Sequence, residues 1–306
     1  MLPDDSNRAG RAVRVFRIPS SAGTCLILEQ EGRHYDLSHG LDRAHRGDLL
    51  ELITGGGLGR VLDPSTFSRR RQVPEPERVL TPLEPRQVGK ILAISRSPRD
   101  LFVANAPTDS RPWFTNRSPA SLVASGSTLR GPNAEDGEHP DGSVMLHEIF
   151  LAAVIARRAR GLELAEALDC VAGFMAASDI TRRSLDGRPR SPWFGDSPEG
   201  TLTIGPAFTP RAALDLGDLV VRAQRRREDH SEPTLTRCCA RFGEEVALAV
   251  TALSRAAILH PGDLVLVPTA VALGVLAAGD EVHCSIDGIG ELSTLIPGRS
   301  RLRRQA

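Results

Sequence analysis

Lysine is nearly absent from this chain. Of its 38 basic residues only Lys90 is a lysine, and the rest are arginine. Chemistry that needs a lysine elsewhere, a Schiff base for example, is therefore excluded. Net charge is also absent, 38 Asp+Glu against 38 Lys+Arg, and aromatics make up only 4% of the 306 residues. A nucleic-acid binder needs a basic footprint, which this composition does not give. No apolar run approaches the ~18 residues of a membrane-spanning helix. The N-terminus, MLPDDSNRAG, is too acidic and polar for a signal peptide. Cysteine is sparse and odd in number (Cys25, Cys170, Cys238, Cys239 and Cys284) with no C-x-x-C spacing. A zinc ribbon or thioredoxin-like motif is thereby disfavoured, and a cytoplasmic, disulfide-free protein is expected.

What remains is an ordinary globular composition, 41% hydrophobic and 25% charged, long enough for one large or two modest domains. VRVFRI, TCLILEQ and HYDLS between residues 12 and 37 read as short strands. LDRAHRGDLLELITGG has the apolar spacing of a short helix, stopped by Gly55–Gly57. GGGLG at 55–59 then follows a helix rather than opening one, so it is not read as a phosphate cradle. Five prolines between Pro64 and Pro85 interrupt regular structure, and a domain boundary is placed there: residues 1–85 a small module with a linker, 86–306 the main domain. KILAIS reads as a buried strand. Residues 105–143 read as long loops with short strands. VMLHEIFLAAVIA is apolar almost throughout, as in a strand covered on both faces. ELAEALDCVAGF reads as a helix, FMAASDI as a strand, and residues 218–223 and 264–268 as further strands. FGEEVALAVTALSRAAIL places apolar residues at 242, 246, 250 and 253, one helical face. His230, His260 and His283, the RRRE run at 225–228 and the basic tail RSRLRRQA are read as surface or satisfied strand residues.

Two acids stand out because they interrupt apolar strands. Glu148 lies within VMLHEIFLAAVI, and Asp179 ends GFMAASDI. A buried ionised carboxylate is costly unless it is paired or ligates a cation. Hard cations take oxygen ligands, so the pair points to a divalent-cation or acid/base site.

The run LAAVIARRARGLELAEALDCVAGFMAASDITRRSL resembles the central block of the fumarylacetoacetate hydrolase superfamily. There an E-x-E strand leads into an AVVIG-like run, a helix and an Asn-Asp-x-Ser-x-Arg-Asp segment. KILAISRSPRD resembles the start of that family's catalytic domain. ILHPGDLVLVPTAVALGV resembles its LEPGD-VILTGTP segment, and AGDEVHCSIDGIGEL its closing hairpin. The resemblance runs in family order over nearly the whole chain. It implies an α+β fold: a mixed β-sandwich roll preceded by a small α/β module, usually as a homodimer. It also implies a small-molecule carbonyl substrate, a 2-oxo acid or 1,3-dicarbonyl. The family holds Mg²⁺ or Mn²⁺ on two glutamates and an aspartate. That cation stabilises enolate charge during C–C hydrolysis, decarboxylation, hydration or tautomerisation.

The departures from that pattern carry the most information. Glu148 falls on the first glutamate of E-x-E and Phe150 on the second. Residues two apart on a strand share a face, so a benzyl ring stands where a carboxylate is expected, and His147 faces the other way. Asp179 matches the third ligand and Arg183 the arginine after it. The family lysine becomes Asp196, or Ser197 with a one-residue shift. Its histidine becomes Leu101. The basic residue of its F-x-K-P loop resembles Arg117, and its G-T-P threonine resembles Thr269. Three readings follow. Asp196 joins Glu148 and Asp179 in a rebuilt Mg²⁺ or Mn²⁺ site. Alternatively the pocket works without a cofactor. In that reading Glu148 or Asp179 is an acid/base of raised pKa, Asp196 and Thr269 stand among the catalytic groups, Phe150 is an apolar lining, and Arg117, Arg182 or Arg183 holds a substrate anion. In the third, the protein is a non-catalytic binding or scaffold relative. The cofactor-free enzyme, acting as a hydrolase, lyase, isomerase or cyclase, is the reading taken forward, and such divergence suits a tailoring enzyme of secondary metabolism.

Overall fold

A computed structural model describes residues 13–21, 23–38, 47–63, 70–94, 114–129, 143–184, 199–227 and 230–297. The N-terminal strands are β1 (Val13–Ser20), β2 (Gly23–Gln30), β3 (Arg33–Asp36) and β4 (Arg71–Val73). Between β3 and β4 lie two short helices, α1 (Leu49–Thr54) and α2 (Gly57–Leu62). Then come β5 (Ile91–Ile94), β6 (Phe114–Arg117), β7 (Leu122–Ala124), β8 (Ser127–Thr128), β9 (Ser143–Ile155), α3 (Leu164–Ala167) and β10 (Val171–Ser184). The rest comprises β11 (Leu202–Pro210), β12 (Asp218–Arg227), β13 (His230–Ser231), β14 (Leu235–Ala240), α4 (Phe242–Ala256), β15 (Leu264–Leu276), β16 (Asp280–Ile286) and β17 (Gly290–Leu295).

The larger sheet runs β4-β3-β2-β1-β11-β10-β9-β15-β5-β6, with β7 also on β11. A second sheet runs β13-β12-β16-β17-β8, with β14 on β12. β6 pairs with β5 while β7, five residues on, pairs with β11. The 3₁₀ turn Pro119–Ser121 between them therefore ties the two ends of the six-strand run β11-β10-β9-β15-β5-β6, and the sheet rolls up on itself. Ser118 accepts from the Ala120 amide and secures that turn.

The apolar run in β9 is buried on both faces, as its lack of alternation implies. Phe150, Ala152 and Val154 join the inner core with Ile91, Leu264 and Leu266. Ile149, Leu151, Ala153 and Ile155 join the outer core, formed with the second sheet and α4. On α4 the residues Phe242, Val246, Val250 and Leu253 are all buried, the face that their spacing predicts. The N-terminal strands do not stand apart: β1 pairs with β11, Val15 opposite Phe208. Val15, Leu28, Leu49 and Leu52 share the inner core with the main-domain strands.

Two local expectations are corrected. ELAEALDCVAGF does not stay helical. After four residues α3 passes into a 3₁₀ turn, Leu168–Cys170, and Val171 already belongs to β10. Val171 to Phe174 serve as strand because Gly173 lets β10 press against β11. A Cβ at Gly173 would meet the Thr209 carbonyl oxygen at 2.3 Å and the Phe208 ring at 2.5 Å. Gly173→Ala is accordingly expected to cost about 1–3 kcal/mol, read as a lower denaturant midpoint, and an unchanged midpoint would contradict this packing. GGGLG both ends α1, at Gly55, and opens α2, after Gly56 at φ 70°, so the premise that it only follows a helix does not hold. Among the described residues no helix is long and apolar enough to cross a membrane.

Candidate active site

The two singled-out acids come together. β9 and β10 are antiparallel neighbours with Asp179 directly opposite Glu148 and Ala177 opposite Phe150. Cross-strand partners share a face, and here it is the inner one, at the end of the roll where β6 arrives. Their surroundings differ sharply. Glu148 is exposed, whereas Asp179 has no solvent exposure.

Asp179 meets Arg117, the last residue of β6. Arg117 Nε and Nη2 both donate to Asp179 Oδ2, at 2.9 and 2.8 Å, and Nη1 donates to Thr115 Oγ1 at 2.8 Å. The guanidinium is itself only 3% exposed. Two charge-assisted bonds on one oxygen hold a carboxylate as the anion, so Asp179 is not the proton-bearing acid that its apolar strand led us to expect. The site thus presents a buried, neutralised ion pair beside an exposed carboxylate on the next strand.

Burial alone does not mark an active centre, and two further carboxylates show this. Asp263 is fully buried, receives the Lys90 and His260 amides at 2.9 and 2.7 Å, and pairs with Lys90 Nζ at 2.6 Å. Asp280, also fully buried, receives the Ala277 amide at 2.8 Å and Arg227 Nε at 2.6 Å. Both lie in the Gly-Asp pairs that open strands and fasten the preceding loop; the one lysine is spent there. Asp179 differs in facing an exposed acid across the ladder.

The other expected residues fare variously. Phe150 is 1% exposed and packs in the inner core; it fills space that an apolar pocket lining would leave open. Thr269 is buried: its hydroxyl donates to the Ile149 carbonyl at 2.7 Å and accepts from the Val271 amide at 3.3 Å. It braces the bulge where β15 slips register against β9, with Ala270 at φ 55°, so it positions backbone and its proton is committed. Arg182 alternates with Asp179 along β10 and falls on the face of Ser178 and Ile180, away from the ion pair. Arg183 continues the backbone of β10 opposite Val144, but its side chain, like Asp196, Ser197 and Leu101, lies outside the described residues.

His147 turns to the opposite face, as expected. It is buried, with Nε2 3.0 Å from Ser178 Oγ and Nδ1 accepting the Leu273 amide at 3.4 Å. Ser178 was not singled out from the sequence, and the pair looks like a nucleophile with its base. The geometry argues otherwise. With Nδ1 taking an amide hydrogen, Nε2 carries the ring hydrogen and donates to the serine, so it cannot remove the serine proton. Burial also pushes the imidazole pKa down to about 3. Because this lies below the unfolded value of 6.5, its contribution to stability is complete above pH 6.5 and is lost as pH falls toward 3. Between pH 7 and about 4.5 the wild type is expected to lose on the order of 2–3 kcal/mol more than His147→Gln; parallel losses in denaturant titrations would contradict this.

Among the described residues alone, the donor set does not fit a divalent cation. Among the described residues no three His, Cys, Asp or Glu side chains are grouped to hold one. Phe150 stands where the resemblance places a second glutamate, and Arg117 already holds the aspartate. A dication about 4 Å from a guanidinium is repelled by roughly 8 kcal/mol in an effective dielectric of 20. One cavity of about 440 Å³ lies elsewhere, among Ile18, Cys25, Val73, Glu75 and Arg78, and shares no residue with this site.

Comparison with known proteins agrees with the roll. The model of the fumarylacetoacetate hydrolase C-terminal domain matches residues 91–296. A Burkholderia ambifaria protein, named as a hydrolase without a substrate, is 30% identical over 294 residues, covering 87% of this chain and 92% of its own. A Burkholderia cenocepacia protein named in the same way is 29% identical with the same coverage. Among solved structures, the fumarylacetoacetate hydrolase of Exiguobacterium antarcticum superposes with a TM-score of 0.72 at 21% identity, covering 94% of this chain and 100% of that one. The maleylpyruvate hydrolase of Sphingobium sp. SYK-6, solved with manganese(II) and pyruvate, gives 0.69 at 18%, covering 94% and 99%. A 2-hydroxyhepta-2,4-diene-1,7-dioate isomerase from Mycobacterium marinum gives 0.62 at 19%, covering 95% and 100%. The family model spans two thirds of the sequence over the strands that carry Glu148 and Asp179, and this chain belongs to the fumarylacetoacetate hydrolase family.

Proposed function

We propose that this chain is an enzyme that moves a proton at the carbon beside a carbonyl, on a 2-oxo acid or 1,3-dicarbonyl compound. The observation that carries the reading is Glu148 standing exposed directly across the ladder from the Arg117–Asp179 pair. Glu148 takes the C–H proton as general base. The electron pair of that bond moves onto the carbonyl oxygen, giving an enolate. Arg117 faces that charge. Three of its five N–H bonds go to Asp179 and Thr115, and the remaining two serve an anionic oxygen. Asp179 fixes the guanidinium so that it need not reorganise as charge develops. Returning the proton to a conjugated carbon gives isomerisation, and returning it to the same carbon gives only exchange with solvent. In decarboxylation or hydrolytic C–C cleavage an enolate forms instead as the C–C bond breaks, with CO₂ leaving or water adding to the carbonyl, and its charge meets the same guanidinium.

Hydrolases and isomerases among the solved neighbours support this class of chemistry. The test is deuterium exchange. Acylpyruvates, other 2-oxo acids with C3 hydrogens and simple 1,3-diketones are incubated with the protein in D₂O and followed by NMR. At least one is expected to exchange well above the buffer rate. A whole panel exchanging at the buffer rate would overturn the reading.

A further inference from the structure

We infer that His147 is a positioning residue: with Ser178 it braces the strand behind Glu148 and so aims that carboxylate at the substrate. As a claim about catalysis this rests on Glu148 being the general base. The need for a brace is visible in the ladder. On one side of β9, Glu148 is in register with Asp179 of β10. On the other side β15 slips register twice, between Pro268 and Val271 and between Val271 and Gly274, and no residue of β15 stands in register with Glu148. The backbone that carries the base thus lacks a regular ladder on that side, and side chains take its place. Thr269 Oγ1 donates to the Ile149 carbonyl at 2.7 Å, one residue after Glu148. The Leu273 amide, in the second slip, donates to His147 Nδ1 at 3.4 Å, one residue before it. His147 carries this bond onward. Its Nε2 donates to Ser178 Oγ at 3.0 Å, and the Ser178 hydroxyl donates to the Cys284 sulfur on β16. A line of hydrogen bonds therefore runs from β15 through β9 and β10 into the second sheet. It is closed to solvent, with His147 1% and Ser178 0% exposed. A buried polar network with its partners satisfied holds one arrangement. Neighbouring residues on a strand face opposite sides, so a turn of His147 turns Glu148 with it.

The experiment compares wild type with His147→Leu, His147→Gln and Ser178→Ala. Kinetics are read by deuterium exchange on the panel compound that exchanges fastest, and the place of the Glu148 carboxylate by crystallography. The glutamine amide can still accept from Leu273 and donate to Ser178, and Ser178→Ala serves if His147→Leu fails to fold. His147→Leu is expected to lower kcat by about 10–100-fold with KM within about twofold, and to move the carboxylate by about 1 Å. Ser178→Ala should lower kcat by about 3–10-fold, whereas His147→Gln should stay within about threefold of wild type. Added to Glu148→Gln, His147→Leu should cost nothing further. Folded His147→Leu and Ser178→Ala proteins with wild-type kcat and an unmoved carboxylate would overturn the inference. So would a His147→Leu loss that is equally large with and without Glu148. A carboxylate that moves while kcat holds would instead remove Glu148 as the base and leave the brace standing. If no panel compound exchanges, the proposed reaction fails and the carboxylate position alone decides the brace.

Discussion

Arg117→Ala is expected to destabilise the protein by about 3–5 kcal/mol, the usual cost of removing one partner of a buried ion pair. The reason lies in what is left behind. Asp179 is fully buried with two bonds from one guanidinium, and truncation removes that charge-assisted pairing in a medium that solvates a carboxylate poorly. A domain of this kind has a total stability of about 5–15 kcal/mol, so the loss is large enough to shift a urea midpoint well outside error. Asp179→Leu alone strands the guanidinium instead and is expected to cost a similar amount. Arg117→Met with Asp179→Leu removes both charges and should be much closer to wild type than the sum of the single losses. A double loss equal to that sum would show that the pair is not coupled.

Glu148→Gln is expected to lower turnover by about 10²–10⁴-fold, the range for losing a positioned general base, with little change in stability. The two halves of this expectation belong together. Glu148 is exposed, so an isosteric amide there disturbs neither core. Its neighbours across the ladder remain in place, so binding survives while proton removal does not. The loss should appear in kcat more than in KM. A variant with wild-type exchange rates would remove Glu148 from the chemistry; one that melts far below wild type would assign the acid to structure.

Legibility in the sequence followed the range of the interactions. The unbroken apolar run of β9 and the 3.6-residue spacing of α4 are local signals, and both elements formed as those signals require. The end of α3 was not legible. Its outcome is set by Gly173 lying against Phe208 and Thr209, a contact between strands and not a local propensity. Glu148 and Asp179 could be picked out as misfits in apolar strands, but their unequal exposure depends on where the roll ends. Arg117 was recognisable as a basic residue of the site, whereas its bond to Asp179 spans 62 positions and leaves no local trace. Thr269 carried a family motif, but its hydroxyl is used twice within a bulge that no spacing rule announces. The benzyl group of Phe150 could be read equally as lining or as filling, and the packing of the inner core decided for filling.

On the proposed reading, the site carries out enolate chemistry and Arg117 supplies the positive charge that the enolate needs. Measuring the C3 deuterium-exchange rate of a responsive 2-oxo acid, once in excess EDTA and once in saturating Mn²⁺, tests this most directly. Equal rates in the two conditions, both abolished in Glu148→Gln, are the expected result. Exchange that vanishes in EDTA and returns with Mn²⁺ would contradict it, and would place a metal where Arg117 is held to act.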